Sequence, residues 1–156
     1  MRISIVAVGK LRSGPERDLS EDYLTRFARA GRVRSLGPAS IVEVEDRKGG
    51  GAKAEAQLLL SALPPNAKVF ALDERGKTLS SPQFAERLKA EAEQGARELA
   101  ILIGGADGLT EEIRSRADLL VSFGPMVWPH KLVRVMLAEQ LYRAASILSG
   151  SPYHRA

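Results

Sequence analysis

Residues 99–109 read Leu99-Ala100-Ile101-Leu102-Ile103-Gly104-Gly105-Ala106-Asp107-Gly108-Leu109. Five apolar residues in a row, with no polar face alternating between them, predict a strand covered on both sides, as in the middle of a parallel sheet. The run then breaks into a glycine loop. Thr110 ahead of Glu111 and Glu112 predicts a capped helix start. Buried strand, loop and helix make one β/α unit, and the flanking sequence repeats the pattern.

Toward the N-terminus, residues 2–8 read as a strand. Residues 15–30 carry Leu19, Tyr23, Leu24 and Phe27 at helical spacing and stop at Gly31. Ile41-Val42-Glu43-Val44-Glu45 alternates like a strand with one exposed face. After Gly49-Gly50-Gly51, residues 52–63 read as a helix halted by Pro64-Pro65-Asn66. Residues 68–73 form a third strand ending in a turn over 74–77. Ser81 before Pro82 predicts an N-cap and a helix that ends at Gly95. Residues 118–123 are a fifth strand, and 131–148 a long final helix closed by Gly150. This alternation predicts one α/β domain over residues 1–156, a mostly parallel sheet flanked by helices. Ligands of such sheets bind beyond the carboxyl ends of the strands, so the loops after Leu72, Ile103 and Phe123 are the places to look.

Composition narrows the chemistry. The 156 residues include no cysteine, which excludes disulfides, a thiolate nucleophile and cysteine-based metal sites. The two histidines, His130 and His154, lack partners at metal-ligand spacing, so no metal is expected. No apolar stretch reaches the roughly 20 residues that span a bilayer, and the opening run is too short for a signal peptide. No membrane partner and a cytoplasmic location are therefore expected. The net charge of +4 is uneven. Residues 1–36 hold eight Lys/Arg against four Asp/Glu, and residues 130–156 hold four against one. Basic ends around an acidic middle suit a polyanionic partner, and also suit an ordinary soluble surface.

Four features could carry function. The loop at Gly104 and Gly105 could bring its backbone close to a ligand, or could be a plain strand-to-helix turn; it is neither a dinucleotide fingerprint nor a P-loop. The segment Phe123-Gly124-Pro125-Met126-Val127-Trp128-Pro129-His130 is apolar yet broken by two prolines. It could hold an adenine, or fill the core beneath the last helix. That helix is apolar nearly all round, which hints at a subunit interface; Arg134 and Arg143 interrupt it as solvated edge residues or as RNA contacts. The tail Tyr153-His154-Arg155 packs an aromatic ring, an acid/base candidate and a guanidinium into three residues.

The succession of Ile5-Val6-Ala7-Val8-Gly9-Lys10, Leu72-Asp73, the loop 103–109, Pro129-His130, Val133-Arg134-Val135, Glu139-Gln140-Leu141-Tyr142-Arg143-Ala144 and Tyr153-His154-Arg155 resembles the ribosomal large subunit methyltransferase H family along essentially the whole chain. The resemblance implies a SPOUT-type α/β domain with a C-terminal trefoil knot, working as a homodimer. It implies transfer of a methyl group from S-adenosyl-L-methionine to N3 of a pseudouridine in 23S ribosomal RNA of the assembled ribosome. By position, Leu72, Gly104, Gly105 and the run Phe123, Gly124, Pro125, Met126, Val127 and Trp128 would form the cofactor pocket. His130, Arg143, Tyr153, His154 and Arg155 would meet the base, with Arg143 or Arg155 holding negative charge and His154 or Tyr153 assisting proton loss. The tail would act on its own cofactor or on that of the partner. The rivals are a non-enzymatic ribosome-binding factor, and a flavodoxin-like or phosphate-ester enzyme using the glycine loop.

Overall fold

A computed structural model describes residues 1–155. The chain runs β1 (Arg2–Val8), α1 (Pro15–Gly31), a 3-10 turn (Arg32–Arg34), β2 (Ala39–Val44), α2 (Gly51–Ser61), β3 (Lys68–Thr78), α3 (Ser81–Glu93), β4 (Glu98–Ile103), α4 (Glu111–Arg116), β5 (Leu119–Ser122) and α5 (His130–Ser149). All pairings are parallel, in the order β2-β1-β4-β3-β5. The apolar run 99–103 takes the central position and is wholly buried, as its composition requires.

Alternation along each strand sends side chains to two cores. Leu99, Ile101 and Ile103, with Ile3, Ile5 and Phe70, pack against residues of α1, α3 and α5 such as Phe27, Leu88, Leu137 and Leu141. Ala100 and Leu102, with Val6, Val8 and Val69, pack against Leu59 of α2 and Ile113 of α4. Burying a Leu or Phe side chain in this way stabilises by about 1.5–3 kcal/mol.

Three sequence expectations shift. The N-cap of α3 is Ser80, one residue earlier than expected. Its hydroxyl accepts from Gln83 N at 3.2 Å while Gln83 Oε1 accepts from Ser80 N at 2.8 Å, a reciprocal box that outcompetes a cap at Ser81. Ser81 instead donates its hydroxyl to Gln140 Oε1 at 2.8 Å, tying α3 to α5. Second, residues 74–77 turn but do not end β3. Leu72 and Lys77 both register on Val121, so residues 73–76 bulge outward and the chain re-enters the sheet. Asp73 Oδ1 accepting from Arg75 N at 2.8 Å closes that bulge. Gly76 lies so close to β5 that a Cβ there would stand 2.6 Å from the Leu120 carbonyl carbon, so the re-entry needs glycine.

Third, Arg134 is neither a solvated edge nor an RNA contact. It is 1% exposed. Its guanidinium donates to Glu43 Oε2 at 2.6 Å, to Val8 O at 3.1 Å and to Gly9 O at 2.5 Å. One buried cation thus fastens the first turns of α5 to the carboxyl ends of β1 and β2. The rest of the buried stripe of α5 (Leu137, Ala138, Leu141, Ala144 and Ala145) is used within the chain, and Gly150 at φ +74 ends the helix.

Candidate active site

The loops leaving β3, β4 and β5 sit side by side because those strands are neighbours in the sheet. Between them is a cleft of about 500 Å³, lined by Leu72, Ile103, Gly104, Gly105, Phe123, Gly124, Met126, Val127, Trp128, His130 and Val133. Of the residues expected to hold the cofactor, Pro125 alone is absent from the lining; it is exposed. The segment 123–128 is not core filling. Met126 is 72% exposed, Val127 91% and Trp128 41%, so the loop forms an open apolar wall.

The two loop glycines have no room for side chains. A Cβ on Gly104 would meet the Gly108 carbonyl and Leu109 at 3.0 Å, and one on Gly105 would meet the Glu55 carboxylate at 2.9 Å. The loop folds back on itself, with Gly108 N donating to Gly105 O at 3.0 Å. Gly104 and Gly105 therefore offer the cleft bare backbone, and the tightness of the loop demands residues without side chains.

Sequence reasoning missed the charged rim of this cleft. Asp73 sits with its side chain 5% exposed between Arg75 Nη1 at 3.7 Å and Arg114 Nη1 at 3.8 Å. Arg114 also donates to Leu109 O at 2.5 Å, bracing the loop from α4. Arg114 follows the glycine loop by one turn of α4, but its partner Asp73 is distant in sequence, so the local pattern did not point to the pair. His130 lines the cleft at the start of α5. Burial pushes its imidazole below the ordinary histidine value, and the charges of Arg134 and Lys131 push the same way. It is neutral at pH 7 and free to accept a proton.

The other expected residues gather elsewhere. Arg143 follows His130 by thirteen helical positions, roughly 20 Å along α5 at 1.5 Å per residue. Beyond Gly150 the tail folds back. The Tyr153 hydroxyl donates to Glu139 Oε1 at 3.0 Å, and the same oxygen accepts from Arg143 Nε at 2.9 Å and Nη2 at 2.6 Å. Arg143 Nη1 lies 3.2 Å from His154 Nδ1; a guanidinium only donates, so Nδ1 is the acceptor. The Tyr153 ring packs on Tyr142 at 4.5 Å and under the Arg143 guanidinium at 4.8 Å. Burial, and then the Glu139 hydrogen bond, push the Tyr153 phenol up to about 12, so it stays a donor at neutral pH rather than a base. Arg155 is exposed beside this cluster. Glu139 is the organiser that sequence reasoning overlooked, although it lies within the motif containing Arg143.

A larger groove of about 600 Å³ runs between α1 and edge strand β2. Its charged groups are already satisfied, Arg17 by Glu21 and Glu43 by Arg134, and it lies off the loops of the central strands. Among the described residues no cluster of His, Cys, Asp or Glu could hold a metal ion, and no helix is long and apolar enough to cross a membrane.

Comparison with known proteins decides what the cleft belongs to. Residues 1–154 match the family described as predicted SPOUT methyltransferase. Ribosomal RNA large subunit methyltransferase H of Dinoroseobacter shibae and that of Ruegeria pomeroyi are each 63% identical over 155 residues, covering 99% of both chains. That of Cereibacter sphaeroides is 64% identical over the same span. The chain belongs to the ribosomal RNA large subunit methyltransferase H family of SPOUT methyltransferases. It is thus an enzyme whose cofactor is S-adenosyl-L-methionine. The cleft suits that group: its volume lies in the usual ligand range, bare glycine backbone meets an apolar wall, and Asp73 with Arg114 stands at the rim to match a zwitterionic amino-acid end.

Proposed function

We propose that this methyltransferase modifies N3 of a pseudouridine in 23S ribosomal RNA on the assembled ribosome, in the cytoplasm, as a homodimer whose chain end is threaded as a trefoil knot. The relatives named for ribosomal RNA support the substrate class. The observation that carries the mechanism is the separation of the two halves of the site along α5. Residues Leu72, Gly104, Gly105 and Phe123 to Trp128 would hold the cofactor in one chain. In that same chain Arg143 stands roughly 20 Å along α5 from His130, and Tyr153, drawn back onto Glu139, about 14 Å, both further than a methyl group is transferred. A second copy would bring its own tail to the first chain's cleft. The exposed apolar residues beside the cleft, Met126, Val127, Trp128 and Leu132, supply a surface for that pairing.

S-adenosyl-L-methionine, when bound, supplies a methyl group activated by its sulfonium. The chain's own residues must align the base and handle its proton. N3 of a uracil-like ring carries a proton that must leave before the nitrogen can attack, so a neutral imidazole and fixed cations are the useful groups. His130 stands neutral in the cleft to take a proton. Arg143 and Arg155 stabilise the ring anion or its neighbouring phosphate, and Tyr153 donates a hydrogen bond rather than accepting the proton. His154, with Nδ1 held by Arg143, is oriented to present Nε2 to the base. Transfer of labelled methyl from S-adenosyl-L-methionine to ribosomes, with the modified nucleotide mapped in 23S RNA, tests the reading. Ribosome binding without transfer would favour the non-enzymatic factor.

A further inference from the structure

We propose that Arg29 and the turn Arg32–Arg34, at the far end of α1, form a docking surface for the phosphate backbone of the RNA substrate, next to the tail cluster. This rests on the RNA reading above. No Asp or Glu occurs between Asp22 and Glu43, a span that holds four arginines, and none follows Glu139. Among the described residues, Arg26 of these four is paired, with Asp22 at 3.1 Å; Arg29, Arg32 and Arg34 are exposed and lie within 4 Å of no carboxylate. Arg2, Arg87, Arg114 and Arg143, by contrast, are each matched by an acid.

The turn is also rigid. Leu36 is buried and its N–H donates to Gly31 O at 2.9 Å; Ser35 N donates to Arg32 O at 3.1 Å; the Met1 amine donates to Ser35 O at 2.5 Å, and Gly37 N to Met1 O at 2.8 Å. Val33, 78% exposed, stands between Arg32 and Arg34. Cations on a pinned backbone lose less freedom on binding than cations on a loose loop. Helices α1 and α5 run side by side in the same direction: Leu19 faces Val135 and Met136, Arg26 lies 6.0 Å from the Tyr142 ring, and the 3-10 turn packs on α5. Tyr142 in turn stacks on Tyr153. The free arginines therefore extend the cationic surface of Arg143 and Arg155, one to two helical turns further on.

The test is steady-state methyl transfer to assembled ribosomes, beside direct binding to protein-free 23S RNA, by the variant carrying Arg29→Gln, Arg32→Gln and Arg34→Gln. None of the three side chains hydrogen-bonds within the described chain, so the fold is spared; unchanged affinity for S-adenosyl-L-methionine verifies it. The expected result is a KM for ribosomes raised about tenfold, with kcat near that of the parent and a salt slope smaller by about 2–3. The corresponding triple lysine variant should restore affinity, because phosphate attraction needs charge rather than a guanidinium fork. Unchanged KM and salt slope overturn the proposal. So does a loss that lysines fail to rescue, or one seen on ribosomes but not on protein-free RNA, which points to a ribosomal protein. A parent chain that transfers no methyl group to RNA overturns the underlying reading, and this surface with it.

Discussion

Replacing Arg134 by methionine should destabilise the chain while keeping most of the side-chain volume. The guanidinium, with its side chain 2% exposed, makes three contacts: Glu43 at 2.6 Å, Val8 O at 3.1 Å and Gly9 O at 2.5 Å. Removing one partner of a fully buried pair costs about 3–5 kcal/mol. Glu43 keeps Leu11 N at 2.6 Å and is 28% exposed, so solvent reduces the loss to about 2–3 kcal/mol. For a domain of this size that lowers Tm by roughly 5–10 °C. The loss should depend on pH. Burial raises the Glu43 carboxyl, but the Leu11 N–H and Arg134 outweigh it and hold the group below its ordinary value. A carboxylate with a depressed folded pKa stabilises above its unfolded pKa of about 4.3, and that contribution disappears as pH falls through the folded value. Thermal melts of parent and variant should differ most at neutral pH and converge in acid. A gap under about 2 °C at neutral pH, or one that persists undiminished in acid, would refute the role given to Arg134.

Further outcomes follow from the site. Gly104→Val should abolish calorimetric binding of S-adenosyl-L-methionine, because the new side chain meets Gly108 and Leu109 within the loop; parental affinity would contradict the cradle. His130 is held below its ordinary value, so kcat/KM should stay level from neutral pH until the solution is more acidic than about 6.5, then fall, and His130→Gln should remove that acid limb. With the Tyr153 phenol raised to about 12, its hydrogen bond to Glu139 is intact at every pH below about 10, so Tyr153→Phe should lower activity by roughly five- to tenfold without moving the pH profile. A profile displaced by Tyr153→Phe would restore the phenol as a base.

The fold was legible because burial and periodicity agree along the chain. The run 99–103 announced a central strand, and capping and stop residues marked most helix ends within a residue or two. What escaped were features made by distant pairs. The return of β3 to the sheet after its bulge depends on Gly76 lying against Leu120, and the burial of Arg134 depends on Glu43 and two strand ends, none of which is local in sequence. The cleft was legible as loops at strand ends, whereas its rim needed Arg114 of α4 brought beside Asp73. The tail residues were legible as chemistry. Their distance from the cleft was not, because only the length of α5 and the fold-back onto Glu139 set it.

That distance is the centre of the account, and mixing two inactive variants tests it most directly. One carries Gly104→Val with an intact tail; the other lacks residues 153–156 but keeps an intact cleft. Each alone should transfer no labelled methyl to ribosomes. If each site joins the cleft of one chain to the tail of its partner, random re-pairing restores about a quarter of the parental activity, since half the dimers are mixed and each has one complete site. Activity that stays at zero in verified mixed dimers would contradict the account and place each tail at its own chain's cofactor.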